Sequence, residues 1–499
     1  MRRSRVPRTS RAPYRLVVAA SLLFVLGAPV AAWADWPQFQ GNASHDGLSD
    51  GPLAPLSVAW TQRNISLESD DAVTGLSSPS IAPDGTIVVV APGAVKTFDG
   101  GDGTELLSVD RDLGPANQPA VADGPDGPIV VFTEGFGDQG PSATATTPSP
   151  SPSPEEDDAS FDSHVRAISL ETGRDVWSAP VQLEDIVQTP VAVDGSTAYV
   201  GDVGGRVTAI DVASGDVRWT GELGSLVTGA VTVDDGRALA TAFGGGGDTS
   251  AVVAFDAETG EEEWRASRED ASNLVSTPVV ADGRVLVLDA LGGVLAFDTE
   301  DGHSLWRSEV INPIAPSGQP FLLQGVGASA PVSADGRVFA VDVTGRAYAF
   351  DAETGAPLWD HALNDPSRFS PPLLAEDQLL VTTDSGALSA IDVATGHLRW
   401  SVGGDAEFLR GLADAGDELI AATGLENGGL VAFSSDPGGT LVDEPSPTTP
   451  DVGTLVVGFL LGGLLAGAAI LLLVRPLQRR LAPDASTPAD GLDPSETPA

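Results

Sequence analysis

Val165-Arg-Ala-Ile-Ser-Leu-Glu-Thr-Gly-Arg-Asp-Val-Trp177 is written again as Val207-Thr-Ala-Ile-Asp-Val-Ala-Ser-Gly-Asp-Val-Arg-Trp219, and further copies end at Trp264, Trp306, Trp359 and Trp400. The six tryptophans stand 42, 45, 42, 53 and 41 residues apart. A period of that length, filled with short apolar runs, is one four-stranded sheet. Its repetition predicts sheets arranged radially around an axis.

Each copy carries the same punctuation. Asp282-Gly283 separates two apolar runs, as do Asp84-Gly85, Asp123-Gly124, Asp194-Gly195, Asp235-Gly236 and Asp335-Gly336. The dipeptide suits the positive φ angles of a tight hairpin. A third strand then ends on an Asp (Asp298 in Val294-Leu-Ala-Phe-Asp298), whose short carboxylate accepts backbone N–H groups two residues on. Gly302 and its equivalents supply the left-handed position of that turn. The Trp eight residues beyond each Asp is expected on the outermost strand, covering a small Ala and touching the next sheet.

Counting third strands by their terminal residue gives Asp99, Ser169, Asp211, Asp256, Asp298, Asp351, Asp392 and Ser434, which is eight units. Trp60 is a fourth strand with nothing before it, and the last unit lacks a good fourth strand. The two defects complement each other. The expected fold is an all-β, eight-bladed propeller of four-stranded antiparallel blades, residues 35–442, closed by pairing the strand around Trp60 with Leu430-Val-Ala-Phe433. A seven-blade ring would leave Trp60 without a role.

The ends read as targeting segments. Six arginines and an apolar run from Leu16 to Val30 precede Ala32-Trp33-Ala34, the pattern of a cleaved signal peptide over 1–34. Val452 to Val474 is 23 uncharged, mostly aliphatic residues, long enough to span a bilayer as a C-terminal transmembrane helix. Arg475, Arg479 and Arg480 follow it and place the tail, 475–499, in the cytoplasm as a disordered segment. Residues 443–451 form a stalk, and a Pro/Ser-rich insertion at about 137–160 is expected to be disordered. Gly458-x-x-x-Gly462 and Gly463-x-x-x-Gly467 allow a weak dimer through the helix, otherwise a monomer. The protein is therefore expected at the cell membrane, single-pass, with the propeller outside the cytoplasm.

Residues 35–451 hold 66 acidic and 17 basic residues, a net charge of −49. Such a surface repels nucleic acid and anionic lipid. An acidic, salt-tolerant proteome gives the same composition. The chain has no Cys, so no disulfide supports the exported part.

Signals of chemistry are few. His45, His164, His303, His361 and His397 follow no metal-ligand spacing. Asp99-Gly-Gly-Asp-Gly-Thr-Glu105 has the composition of a calcium loop but falls on the repeat turn, and Gly244-Gly-Gly-Gly247 lacks the Lys-Ser/Thr of a phosphate loop. Catalytic, cofactor and metal residues are thus expected to be absent, and no cofactor is assigned. The positions that converge on the channel mouth, where each innermost strand begins, are Ser77-Ser78, Asn117-Gln118, Gln188-Thr189, Thr228, Ser276-Thr277, Ser329, Ser370 and Arg410. They form a mostly neutral polar ring, able to hold a ligand or partner group or simply to line a wet channel.

The pattern Ala254-Phe-Asp-Ala-Glu-Thr-Gly-Glu-Glu-Glu-Trp264, repeated as Ala349-Phe-Asp-Ala-Glu-Thr-Gly-Ala-Pro-Leu-Trp359, resembles the pyrroloquinoline-quinone-like (PQQ-like) repeat. The opening Asp35-Trp-Pro-Gln-Phe-Gln-Gly-Asn-Ala-Ser-His-Asp-Gly47 looks like the lead-in common before such propellers. The resemblance implies eight blades, as in quinoprotein dehydrogenases and BamB-like assembly lipoproteins. The dehydrogenases bind the quinone with calcium over the channel, usually against a disulfide of adjacent cysteines. This chain has no Cys, and the catalytic Asp and the calcium-binding Glu and Asn match no position in it. The BamB branch implies a non-catalytic scaffold for a protein or envelope partner, although the lipoprotein Cys is missing. Scaffolding is the first expectation, a PQQ-dependent oxidoreductase the second, and an extracellular ligand sensor the third.

Overall fold

A computed structural model describes residues 36–435 apart from 53–54, 64, 66–75, 136–162, 245–249, 269–273, 290–292, 309–329, 343, 368–369, 404–408 and 424–427. The signal peptide, the insertion, the stalk, the apolar segment 452–474 and the tail lie outside the described residues, as does Ser329. Among the described residues no helix is long and apolar enough to cross a membrane.

The strands pair into eight sheets, each antiparallel through its four blade strands. The third blade is representative: Ala192–Asp194 innermost, then Thr197–Gly201, Arg206–Asp211 and Val217–Glu222. The middle strands are buried on both faces, and the outer strand alternates between buried and exposed residues. This places the apolar core between neighbouring blades, the arrangement that radial stacking requires.

Ring closure occurs as the sequence predicts. Ser57–Gln62 is the fourth strand of the eighth blade, paired antiparallel with Gly429–Ser434 so that Trp60 faces Ala432. Two other expectations need correcting. In the second blade the hairpin turns at Pro125-Asp126, because Gly124 pairs with Gly127, rather than at Asp123-Gly124, and in the third at Gly195-Ser196, because Asp194 pairs with Thr197. Trp177 lies in a bend ahead of a short outer strand, Val181–Leu183, and not within it.

The repeat tryptophans do more than cover an Ala. The indole Nε1 of Trp219 donates to the Ala257 carbonyl of the following blade at 2.9 Å, and Trp177, Trp264, Trp306 and Trp359 make the same bond to Val212, Thr299, Ala352 and Val393. Each ring also lies against the left-handed Gly of the next blade's third turn. A Cβ added at Gly260 (φ +75°) would stand 2.6 Å from the Trp219 ring, and one at Gly103 (φ +71°) 2.6 Å from Trp60. The repeated Gly therefore serves both its φ and a neighbour's indole. Trp400 departs from the pattern and donates instead to the Gln378 side chain at 2.8 Å.

Gly260→Ala is accordingly expected to lower the unfolding midpoint more than Gly236→Ala, whose added Cβ meets nothing although φ is also positive (+76°). Positive φ alone costs about 1 kcal/mol and the clash with a packed ring another 1–3 kcal/mol. Thermal unfolding of the two variants, read by tryptophan fluorescence, measures the difference. Equal midpoints would refute the role given to Trp219.

Candidate functional site

The two faces of the ring differ. One carries the turns joining first to second strands and, in all blades but the eighth, third to fourth strands, which are short. The other carries the connections from second to third strand and from blade to blade, and here the copies diverge. Residues 135–162 make this connection in the second blade, where 202–205 suffice in the third. We call these the turn face and the loop face. The channel mouth formed by the innermost strand starts opens on the loop face.

At its turn-face end the channel is crossed by residues 36–51, whose role the sequence does not disclose. Backbone N–H groups of Ile81, Val121, Val233, Val280 and Leu374, on the inner strands of five blades, donate to the carbonyls of Trp36, Pro37, Ala43, Ser44 and Gly47. In the third blade the Gln38 amide acts as a piece of strand, accepting from Val193 N–H at 2.6 Å and donating to its carbonyl at 2.8 Å. Leu48–Ser49 adds a short parallel strand to the seventh blade, and Ser49 Oγ donates to Asp414 of the eighth at 2.5 Å. The segment thus satisfies inner-strand groups that would otherwise face the lumen unpaired.

His45 anchors it and is fully buried. Nδ1 lies 2.7 Å from the Phe39 carbonyl and Nε2 3.1 Å from that of Val231, while the Phe39 ring meets the imidazole edge-on at 5.5 Å. Burial pulls its pKa below 6.5, the two carbonyls and Asp46 opposing this. The neutral ring has one N–H and serves one carbonyl at a time.

At the starts of the innermost strands most of the expected side chains are engaged locally, and Ser329 lies outside the described residues. Ser276 Oγ accepts from Leu288 N–H at 2.8 Å and donates to the Thr277 carbonyl at 3.0 Å. Thr228 Oγ1 donates to Thr241 at 3.3 Å, Ser370 Oγ to Pro371 at 3.0 Å, and Ser77 Oγ to Ser78 at 2.9 Å. Asn117 donates to Thr133 and to Val187 of the next blade connection, and Gln118 to Pro79 and Ser80. Gln188 is half-buried. Arg410, also half-buried, donates to the Leu76 carbonyl at 3.0 Å across the joint between the eighth and first blades, and burial pushes its pKa down to about 10. The quinone-and-calcium group of the dehydrogenases does not fit these residues. No carboxylate stands among the described mouth positions to hold a divalent cation, and the hydroxyls above already bond to backbone.

The loop face also holds acids that sequence reasoning passed over. Asp202, Asp289 and Asp342 end the second strand of their blades and accept, through Oδ1, from the N–H of Arg206, Gly293 and Arg346 four residues on. Their signal is a recurrent Asp followed three residues later by a small turn residue, Gly205 or Gly345 among them. Variable connection lengths obscure it. Arg206 is shared by Glu184, Asp185, Asp202 and Glu222 at 2.8, 3.4, 3.8 and 3.4 Å. Burial, reinforced by Asp185, pushes Asp202 up to about 6 despite the Arg206 N–H.

Since the folded value exceeds the ordinary 3.8, the ring favours the protonated acid. The contribution is full below about 3.8 and is lost as pH rises through about 6, a change of ~3 kcal/mol. Asp202→Asn, which still accepts from Arg206 N–H, is expected to unfold at a higher temperature than wild type at pH 8. The advantage should fade as pH falls from 6 to 4. An advantage of constant size across that range would show that ionisation of Asp202 is not the cause.

The structure brings His164 within reach of two acids although the sequence shows no ligand spacing: the nearest ligand atoms of Asp112, Glu134 and His164 lie within 4.8 Å of one another. Glu134 already binds Arg166 at 3.2 Å and accepts from Asp112 N–H at 3.1 Å. In the same way Asp298, Asp301 and His303 gather on an exposed repeat turn. The carboxylates of Asp99 and Asp102 bond their own turn, accepting from Gly101 and Thr104 N–H at 2.9 and 2.8 Å.

Residues 162–313 and 314–457 each match the family described as outer membrane protein assembly factor BamB. The chain belongs to this family. Proteins named outer membrane protein assembly factor BamB are 28% identical over 248 residues in Burkholderia pseudomallei, covering 48% of this chain and 61% of that protein. The one in Bordetella pertussis is 27% identical over 311 residues, covering 59% and 76%. The match thus spans about three-fifths of the Burkholderia relative and 66% of the Yersinia pestis one. Among solved structures, BamB from Moraxella catarrhalis superposes with a TM-score of 0.53 at 16% identity, over 76% of this chain and 99% of that one. Quinohemoprotein alcohol dehydrogenase from Comamonas testosteroni gives 0.59 at 14%, over 83% and 82%. At such identities the likeness concerns the fold alone, which a scaffold and an oxidoreductase share.

Proposed function

We propose that this protein is a non-catalytic scaffold of the cell envelope, a propeller that binds a protein partner through its loop face. It is exported by residues 1–34 and held by a single membrane helix at 452–474. One observation carries the reading: a ring, closed by Ser57–Gln62 and crossed by residues 36–51, has short turns on one face and concentrates its variation in length on the other. Variable connections on a fixed frame are where recognition resides. The family's description as an assembly factor agrees with this. Gln188 and Arg410 at the mouth are the predicted ring members best placed to meet a partner group, beside Thr228, Ser276 and Ser370. An oxidoreductase is the competing reading.

Purified full-length protein in detergent, incubated with pyrroloquinoline quinone and calcium, is expected to bind neither in stoichiometric amount and to show no dye-linked alcohol or sugar oxidation. Tight binding with turnover would replace the scaffold by an oxidoreductase. Photo-crosslinkers placed in living cells at exposed Leu113, on the loop face, are expected to give a discrete protein adduct.

A further inference from the structure

Both ends of the described ring leave it on the same face. Trp36 bonds Ile81 next to the first-to-second strand turn of the first blade. At the other end Ser434 pairs with Ser57 and Glu418, on the turn side of the eighth blade. Residues 436–451, sixteen in number, separate the end of the ring from the apolar segment that begins at Val452. A coil of that length spans only ~22 Å on average. Presenting the loop face to the bilayer would require it to pass around an outer blade edge and up the height of a strand. Six residues of strand alone amount to ~20 Å, before the loops and the blade's width are added.

The turn face carries an exposed acid in blade after blade, for example Asp102, Glu258, Glu300 and Glu353 at the third turns and Asp282 and Asp335 at the first. At Asp392 the Arg399 guanidinium holds the carboxyl down to about 2, so it stays ionised in any physiological medium. Such a face is repelled by anionic lipid, so the short connection, and not adsorption, sets the orientation.

We infer that the ring stands on its turn face, with the loop face and the channel mouth directed away from the bilayer. The partner therefore reaches it from the extracytoplasmic side and is a protein, with basic groups to meet exposed loop-face acids such as Asp112 and Glu184, rather than lipid. This rests on the membrane helix proposed above.

The absence of cysteine in the chain makes single introduced cysteines clean probes. Val217, at the turn-face start of an outer strand, and Leu113, on the loop face, are 49% and 54% exposed. Full-length Val217→Cys and Leu113→Cys, each labelled with a donor dye, are reconstituted into phosphatidylcholine vesicles containing an acceptor-labelled lipid. Flotation is read first: protein that does not float with the vesicles refutes the anchor itself, and the inference falls with it. If the protein floats, energy transfer from Val217→Cys is expected to exceed that from Leu113→Cys at least twofold. Equal transfer, or more from Leu113→Cys, overturns the orientation while leaving the anchor intact.

Discussion

A chain lacking residues 36–62 is expected to give no monodisperse ring: in size-exclusion chromatography with light scattering it should elute as aggregate, without a cooperative thermal transition. The loss has two parts. Trp36, Phe39 and Leu56 are 4, 2 and 1% exposed, and each contributes ~2–3 kcal/mol on burial. The backbone bonds from the inner strands and those to Gly429–Ser434 add ~1 kcal/mol apiece. Together these reach the order of 5–15 kcal/mol that separates folded from unfolded states in a typical domain. Removal also bares the edge of Gly429–Ser434, a middle strand rich in apolar residues, which then invites pairing between molecules. Trp60→Ala alone is a milder lesion. It loses the indole against Gly103 and the bond to Glu418 at 3.0 Å, yet keeps the ladder, so a folded monomer with a lowered midpoint is expected. A monodisperse truncated ring with an unchanged midpoint would refute both closure and the channel segment's role.

Why closure was legible in the sequence, while the channel segment was not, follows from periodicity. Trp60 betrays itself as the missing member of a repeated series. Asp, Gly and Trp are recognisable because each blade asks the same thing of them. Asp256 accepts from Glu258 and Thr259 N–H just as Asp351 does from Glu353 and Thr354. Residues 36–51 meet the blades through a different residue each time. Gln38 reaches a partner 155 positions away and Gln40 one 332 away, at Pro372, so no spacing within the sequence announces them. Their glutamines and His45 read as polar surface until the ring supplies carbonyls to meet them. The repeat marks the mouth positions as equivalent points of their blades, but not what their hydroxyls do: Ser77, Ser276 and Ser370 turn back on the next residue's carbonyl, and Thr228 reaches Thr241 on the adjacent strand. The loop-face Asp residues carry a repeating signal, but it is interrupted by connections of unequal length, which is where the copies have diverged.

The second large effect is expected at Arg111, a residue with no sequence signal at all. Its guanidinium is buried in the connection from the first to the second blade and bonds only carbonyls: Ala91 at 2.9 Å, Thr133 at 2.5 Å, and Gly114 and Pro115 at 2.6 and 3.3 Å. Burial pushes its pKa down to about 10, with Glu134 and Asp112 opposing the shift, so it remains charged at pH 7. Arg111→Ala leaves four carbonyls without their donor and Glu134 with Arg166 as its remaining cation. A loss of ~3–5 kcal/mol follows, visible as a lower denaturation midpoint. Arg111→Lys should recover little of it, because a compact ammonium cannot reproduce a planar fork aimed at carbonyls in three directions. The comparison also separates charge from geometry. If charge near Glu134 were the main contribution, lysine would restore most of the stability; if the fork of donors is, Arg111→Lys should lie close to Arg111→Ala. A midpoint for Arg111→Lys near wild type would refute the geometric account. Because these carbonyls belong to both blades and to the connection bearing exposed Leu113, the same substitution is also expected to weaken any partner adduct formed at Leu113, without moving energy transfer from Val217→Cys at the opposite face.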